Sequence, residues 1–167
     1  MRRELKPAIA KAVAVDPGRQ ALFGHSLGGL FVLHALFSRS EAFDTFIAGS
    51  PSIWWGKKSI LREVAAFKAS QEKTRVPKRL LITVGELEAF GSPEEIRLGA
   101  AMKLDVDKLM RDAKQVANSA DLARDLGTLA PSGLKLQRVV FADETHNSVI
   151  PAYLARGARF TLRGWFE

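Results

Sequence analysis

A chain of 167 residues, 47% of them hydrophobic, is long enough to bury one core, so a disordered protein is excluded and a single domain over 1–167 is expected. Cysteine is absent, which excludes disulfide bonds, thiolate metal sites and a cysteine nucleophile. The net charge of +7 favours anionic ligands, but the basic residues are scattered near acidic ones and no nucleic-acid motif is present, so no nucleic-acid partner is expected.

The apolar pattern predicts strands and helices that alternate along the chain. A first helix is predicted over 2–15, where Leu5, Ile9 and Val13 form one apolar stripe. A serine cap is predicted at Ser59, and a helix start with proline at its first position is predicted at 92–95. The remaining elements are strands at 20–23, 45–48, 79–84 and 134–141, and helices at 27–38, 59–69, 92–126 (in two pieces) and 148–164. Such alternation predicts the α/β class, with a parallel sheet of about four strands and helices on both faces.

Neither a membrane span nor a secretion signal is predicted. The longest apolar run, 27–37, is too short to cross a bilayer. Arg2 and Arg3 are basic, but no apolar segment follows them as it would in a signal peptide. The compartment stays open, with the cytoplasm favoured.

The segment Gly24-His25-Ser26-Leu27-Gly28 has the Gly-x-Ser-x-Gly pattern of a nucleophile elbow. It follows a predicted strand and opens a predicted helix, which is the context that this motif requires. We expect a strained turn that exposes the Ser26 hydroxyl, with only small residues fitting at Gly24 and Gly28. The Leu27 N–H would then face a developing oxyanion. The alternative is a glycine-rich helix start in which Ser26 is only an N-cap.

A serine nucleophile needs a base, and the chain has three histidines. His25 is expected to point away from the approach of a base, and His34 is expected to pack in the core or an interface. His146 follows the last predicted strand at the same edge of the sheet as Ser26, so it is the best candidate. The alternative is a loop histidine with a local hydrogen bond.

The orienting acid should follow a strand between Ser26 and His146 in the chain. Glu88 and Glu86 both follow the strand at 79–84, and in an extended segment both would point the same way. Glu88 is favoured because the third residue after the glycine is the more usual place for the acid. Asp143 or Glu144 beside the histidine, or a Ser–His dyad without an acid, are the alternatives.

The loop 50–55 lies at the same edge and is rich in aromatic residues. Trp54 and Trp55, with His25, are assigned to a pocket for the acyl or aryl part of a substrate. The structural alternative is that both tryptophans cap the core. No metal cluster, phosphate-binding loop or dinucleotide fingerprint is present, so neither a metal nor a cofactor is expected.

These segments together resemble the α/β-hydrolase superfamily and, within it, the Esterase family of esterase D-type enzymes and siderophore esterases. The matching stretches, in family order, are 15–17, 23–29, 50–55, 84–88 and 144–149. The resemblance implies hydrolysis of a small-molecule ester through an acyl-enzyme, with Ser26 as nucleophile and His146 as base. It also implies that the acid is less secure, because siderophore esterases of this type can act without one.

The chain departs from that family at its front, since family members carry several strands before the elbow strand. The chain is therefore expected to be the carboxyl-terminal portion of a hydrolase catalytic domain. The strand at 20–23 would then have an exposed edge that pairs with a second copy in a homodimer. One oxyanion donor would be absent, which lowers activity on the order of a hundredfold. The alternatives are an acyltransferase of the same fold and an inactive module that self-associates through this strand.

Overall fold

The computed structural model describes residues 4–166 and contains one parallel sheet of four strands. The strands lie side by side in chain order, as β1 (Ala21–His25), β2 (Thr45–Gly49), β3 (Lys78–Gly85) and β4 (Leu134–Phe141). Their register pairs Phe23 with Ile47 and Ile47 with Leu81. The predicted α/β class with a parallel sheet is therefore confirmed, because parallel neighbours need the helical crossovers that the sequence pattern indicated.

Eight helices connect and cover these strands within the described range. They are α1 (Leu5–Ala12), α2 (Leu27–Arg39), α3 (Trp55–Lys58), α4 (Val64–Thr74), α5 (Pro93–Ala101), α6 (Val106–Ala113), α7 (Gln115–Gly127) and α8 (Val149–Phe166). Short 3-10 segments lie at Ser40–Ala42, Ser59–Glu63, Glu86–Ala89 and Ala130–Ser132. Among the residues from 4 to 166, none of the helices combines the length and the hydropathy needed to cross a bilayer.

The two faces of the sheet carry separate apolar clusters, because successive strand residues point to opposite sides. Phe46, Leu80 and Ile82 face a large cluster that includes residues of α2, α4 and α7. Ile47 and Leu81 face the other side, where they pack against Tyr153 and Phe160 of α8. Helices therefore cover both faces, as predicted, and they fix the position of the strand ends that carry the site.

Three helix predictions need correction. Within the predicted range 2–15, the structure has a helix at Leu5–Ala12, and Arg2 and Arg3 lie outside the described residues. The helix predicted at 59–69 begins at Val64, because Lys57 and Lys58 have positive φ angles of 55° and 59° and a 3-10 segment follows them. Ser59 is therefore not its cap.

The long charged segment after β3 is divided into three helices rather than two. Lys103 and Lys114, with φ angles of 58° and 48°, lie between them in the left-handed region, where an α-helix cannot continue. The predicted start is confirmed, since the Ser92 hydroxyl accepts from the Glu95 N–H at 3.2 Å and the Glu95 carboxylate accepts from the Ser92 N–H at 3.0 Å.

The outer edge of β1 pairs with no other strand among residues 4–166, because β1 is the first strand of the sheet and only β2 lies beside it. A cavity of about 390 Å³ lies along this edge between α1 and β1. The apolar stripe predicted for the first helix is exposed rather than buried in a core, and it consists of Leu5, Ile9 and Val13.

Candidate active site

The elbow at Ser26 is a tight turn between β1 and α2. Ser26 has φ 60° and ψ −119°, a conformation that costs a non-glycine residue free energy and persists only when its surroundings fix it. The Ser26 N–H donates to the Gly49 carbonyl at 2.9 Å, and the Ser26 carbonyl accepts from the Ser52 N–H at 3.1 Å. These two bonds anchor the strained peptide to the end of β2, and they aim the hydroxyl away from the sheet.

The two glycines of the elbow differ in how much space surrounds them. A Cβ at Gly24 would lie 2.2 Å from the Gly28 carbonyl oxygen, so no larger residue fits without displacing the backbone. A Cβ at Gly28 would meet nothing within 4 Å. The expectation that only a small residue fits is therefore supported at Gly24 and is wrong at Gly28, because the side chain there would project into open space.

Three side chains from different parts of the chain form a continuous hydrogen-bonded series. The Ser26 Oγ lies 3.0 Å from His146 Nε2, and His146 Nδ1 lies 2.8 Å from Glu88 Oε2. An ionised carboxylate can only accept, so Nδ1 carries the proton and Nε2 is left free to accept from the Ser26 hydroxyl. The structure thus brings together the nucleophile, base and acid that the sequence proposed, in the geometry that a serine hydrolase requires.

Glu88 is buried, with 1% of its surface exposed, and both oxygens of its carboxylate accept hydrogen bonds. Its second oxygen, Oε1, accepts from the Ser50 hydroxyl at 2.6 Å and from the Gly85 N–H at 2.7 Å. A buried carboxylate is tolerated only with such partners. Ser50 was not identified from the sequence, although its place directly after β2 puts it at the functional edge of the sheet.

Glu86 is exposed, and its carboxylate accepts only a long bond of 3.3 Å from the Asp143 N–H. The expectation that Glu86 and Glu88 point the same way is wrong, because the segment Glu86–Ala89 is a 3-10 helix rather than an extended strand. Successive residues of a 3-10 helix are about a third of a turn apart, so two residues separate the side chains widely. Glu144, the other alternative, accepts from the Ser148 hydroxyl instead.

The His25 imidazole packs directly on His146, with 4.7 Å between the ring centroids, and its other side faces the Tyr153 ring at 5.7 Å. The expectation that it points away from the base is therefore wrong. Burial, and next the neighbouring His146, lower the pKa of His25 below its ordinary value. The lowered pKa favours a neutral His25 beside the His146 ring.

His34 is exposed rather than part of the core. Its Nδ1 lies 2.9 Å from a carboxylate oxygen of Glu63, and Ser38 of the same helix is its neighbour on the surface. The core alternative is wrong, because this face of α2 points to solvent, and the interface alternative stays a prediction.

A cavity of about 140 Å³ opens beside Ser26 and His146. Trp54, one of the three predicted pocket residues, lines it. The sequence pattern did not indicate the rest of the lining, which consists of Ser52 and four residues of the α6–α7 region, Leu109, Met110, Ala113 and Gln115. The signal was weak, since α6 has only eight residues and half of them are charged.

The other two predicted pocket residues lie elsewhere. Trp55 is 52% exposed and contacts Trp54 edge to face at 5.6 Å, and His25 lies behind the His146 ring. Neither residue lines the cavity, because α3 turns Trp55 outward and β1 directs His25 toward α8. The larger cavity beside β1 contains none of the hydrogen-bonded triad.

Leu27 is the first residue of α2, directly after Ser26. The N–H groups in the first turn of a helix have no acceptor inside the helix. The Leu27 N–H is therefore available to an oxygen atom bound next to Ser26, as the elbow motif predicts.

Comparison with known proteins agrees with this geometry. The family model named Esterase matches residues 1–118 of the chain. The chain belongs to the Esterase family. This Esterase-family chain is 36% identical over 159 residues to the ferri-bacillibactin esterase BesA of Bacillus subtilis, a match that covers 95% of the chain and 48% of BesA. It is also 37% identical over 150 residues to a siderophore enterobactin esterase of Emericella nidulans, covering 87% of the chain and 48% of that protein.

A solved structure gives the same result. The siderophore hydrolase EstA from Aspergillus nidulans superimposes with a TM-score of 0.83 and 32% identity, covering 95% of the chain and 52% of EstA. The Esterase-family chain therefore spans about half the length of the relatives it matches.

Proposed function

We propose that this Esterase-family chain provides the catalytic triad of a serine esterase that cleaves carboxylic esters through an acyl-enzyme. The hydrogen-bonded series from Ser26 through His146 to Glu88 carries the proposal. A serine hydroxyl is a weak nucleophile, and it becomes reactive only when a correctly oriented base accepts its proton.

In the first half of the reaction, His146 Nε2 takes the Ser26 proton as Oγ attacks the ester carbonyl carbon. The carbonyl oxygen becomes an oxyanion, which the Leu27 N–H stabilises. The protonated His146 then gives its proton to the leaving alkoxide as the ester bond breaks. In the second half, His146 takes a proton from a water molecule as that water attacks the carbonyl carbon of the acyl-enzyme. His146 then gives this proton to Ser26 Oγ as the bond to the serine breaks and the acid is released.

Glu88 acts by holding the imidazole rather than by taking its proton. Its Oε2 fixes the Nδ1–H tautomer, and its negative charge stabilises the imidazolium that forms when His146 is protonated. The Ser50 hydroxyl and the Gly85 N–H hold the carboxylate in turn, so the position of the base depends on the end of β3.

We propose a siderophore-type ester as the substrate class. The relatives at 36% and 37% identity are named as siderophore esterases, and the net charge of +7 favours an anionic substrate. The cavity beside Ser26 has an apolar wall formed by Trp54, Leu109 and Met110, which suits the carbon skeleton of an acyl group.

A fluorophosphonate probe tests the nucleophile, because such probes modify only an activated serine. We expect the wild-type chain to gain one probe by intact-mass spectrometry, with the label mapped to Ser26, and the Ser26→Ala variant to gain none. Ser38→Ala is the matched control. The Ser38 hydroxyl also lies near a histidine–glutamate pair, but it donates to the His34 carbonyl at 2.7 Å, so its removal should leave labelling intact. An unlabelled wild-type chain would contradict the enzyme proposal.

The open edge of β1 favours a second candidate, an inactive module that self-associates. Unpaired N–H and C=O groups on an edge strand form bonds with a second copy where nothing covers them. We expect a concentration-dependent dimer in size-exclusion chromatography with light scattering. A monomer at every concentration would reject pairing through this edge.

A further inference from the structure

One side chain in the cavity beside Ser26 has no partner. Gln115 is only 3% exposed, and neither its Nε2 nor its Oε1 forms a hydrogen bond with any residue between 4 and 166. Burying an amide without hydrogen bonds costs free energy, and buried polar groups in native proteins are nearly always paired. An orphan amide that lines a cavity next to a nucleophile is therefore available to a ligand.

The backbone around Gln115 is fixed by its neighbours. Lys114 has a left-handed φ of 48°, which ends α6 and lets α7 begin at Gln115. The Asn118 side chain donates to the Ala113 carbonyl at 2.8 Å, and the Asn118 N–H donates to the Lys114 carbonyl at 2.8 Å. A strained break that is held on both sides keeps the Gln115 side chain directed into the cavity instead of into solvent.

None of the other residues that line the cavity forms a hydrogen bond with the Gln115 amide. Trp54, Leu109, Met110 and Ala113 form apolar surface, while Ser26, His146 and Glu88 are already hydrogen-bonded to one another. The Ser52 hydroxyl, also in the lining, lies 3.4 Å from Ser26 Oγ, so it too is directed at the triad. Gln115 thus adds an acceptor and an N–H donor that are not engaged with the triad.

We propose that Gln115 determines specificity by hydrogen-bonding an amide group on the acyl part of the ester substrate. This inference rests on the proposed esterase function of the same site. An amide offers a C=O that accepts from Nε2 or an N–H that donates to Oε1, and because these groups of a trans amide point in opposite directions, one substrate amide pairs with one atom of Gln115. A purely hydrocarbon acyl group would leave both atoms unpaired, and such mismatches are the strongest source of discrimination in a buried site.

The test compares two p-nitrophenyl esters of similar size, one of N-acetylglycine and one of pentanoic acid. We expect wild type to prefer the amide-bearing ester in kcat/KM. Gln115→Leu should lower kcat/KM for that ester at least about tenfold, a loss typical of one hydrogen bond, while the value for the pentanoate ester stays equal or rises. The Tm of Gln115→Leu should rise, because the variant no longer buries an unpaired amide.

Other outcomes would overturn the inference. An equal loss on both esters would mean that Gln115 stabilises the oxyanion or supports the fold. A variant whose kcat/KM values for both esters equal those of wild type would mean that Gln115 does not contact the acyl group. Fluorophosphonate labelling of Gln115→Leu shows that its Ser26 is still reactive. Wild type that neither takes the probe nor hydrolyses either ester would instead overturn the esterase proposal itself, and this inference with it.

Discussion

Glu88→Gln should lower the rate at which Ser26 reacts by roughly 10⁴-fold, the effect of replacing the orienting aspartate of a serine protease by asparagine. Glutamine has almost the shape of glutamate, but only one of its two polar atoms can accept. Oε1 and Oε2 of Glu88 together accept from Ser50, Gly85 and His146. In the variant, the amide NH₂ group replaces one of these oxygens and faces a hydrogen-bond donor. An imidazole without its Nδ1–H acceptor adopts the other tautomer, which cannot take the proton of Ser26. The rate of fluorophosphonate labelling measures this effect directly.

Glu86→Gln is the matched control for that experiment, because it makes the same chemical change two residues away. The Glu86 carboxylate is exposed and accepts one long bond from the Asp143 N–H, so the labelling rate should change by less than about twofold, as for most surface substitutions. Circular dichroism would verify that both variants fold. If folded Glu88→Gln reacts at the wild-type rate, the site works as a Ser–His dyad and Glu88 is structural.

Gly24→Ala should lower the free energy of unfolding by about 3 kcal/mol, at the upper end of the cost of overpacking. The added methyl would lie 2.2 Å from the Gly28 carbonyl oxygen and 2.9 Å from a Val32 methyl, and the backbone contact cannot be relieved by rotating a side chain. The elbow has to open, so labelling of Ser26 should fall together with stability. Urea denaturation followed by tryptophan fluorescence measures the change.

Gly28→Ala is the control, since it adds the same methyl group to the other glycine of the motif. The new Cβ meets nothing within 4 Å, and alanine is favoured over glycine in a helix, so stability should stay equal or increase by up to about 1 kcal/mol. Equal destabilisation by both substitutions would show that the loss comes from general sensitivity of the elbow and not from the close approach of Gly24 to α2.

The strands and the elbow were predictable because their signals are local. A buried parallel strand such as β3 is a continuous apolar run, and Gly-x-Ser-x-Gly between a strand and a helix has few other meanings. His146 could be found because the carboxyl ends of parallel strands meet at one edge. Glu88 could not be separated from Glu86, since the 3-10 turn that divides them depends on the hydrogen bond between Gly85 and Glu88 itself.

The cavity wall was much harder to predict. Leu109, Met110 and Gln115 reach the site only because two left-handed lysines divide the charged segment into α5, α6 and α7. Lysine has no preference for that conformation. The Asp105 cap, which accepts from the Lys108 N–H at 2.9 Å, marks the start of α6 in the sequence, but no such cap marks the start of α7. The same reason explains why the helix predicted from Ser59 begins five residues late.

The triad joins segments that are 58 and 120 residues apart in the sequence. During synthesis, the elbow leaves the ribosome long before the loop after β4, so a nascent chain carries Ser26 without the proposed base. Under the proposed mechanism, a premature stop before residue 146 therefore yields a product that has the motif but cannot activate its serine.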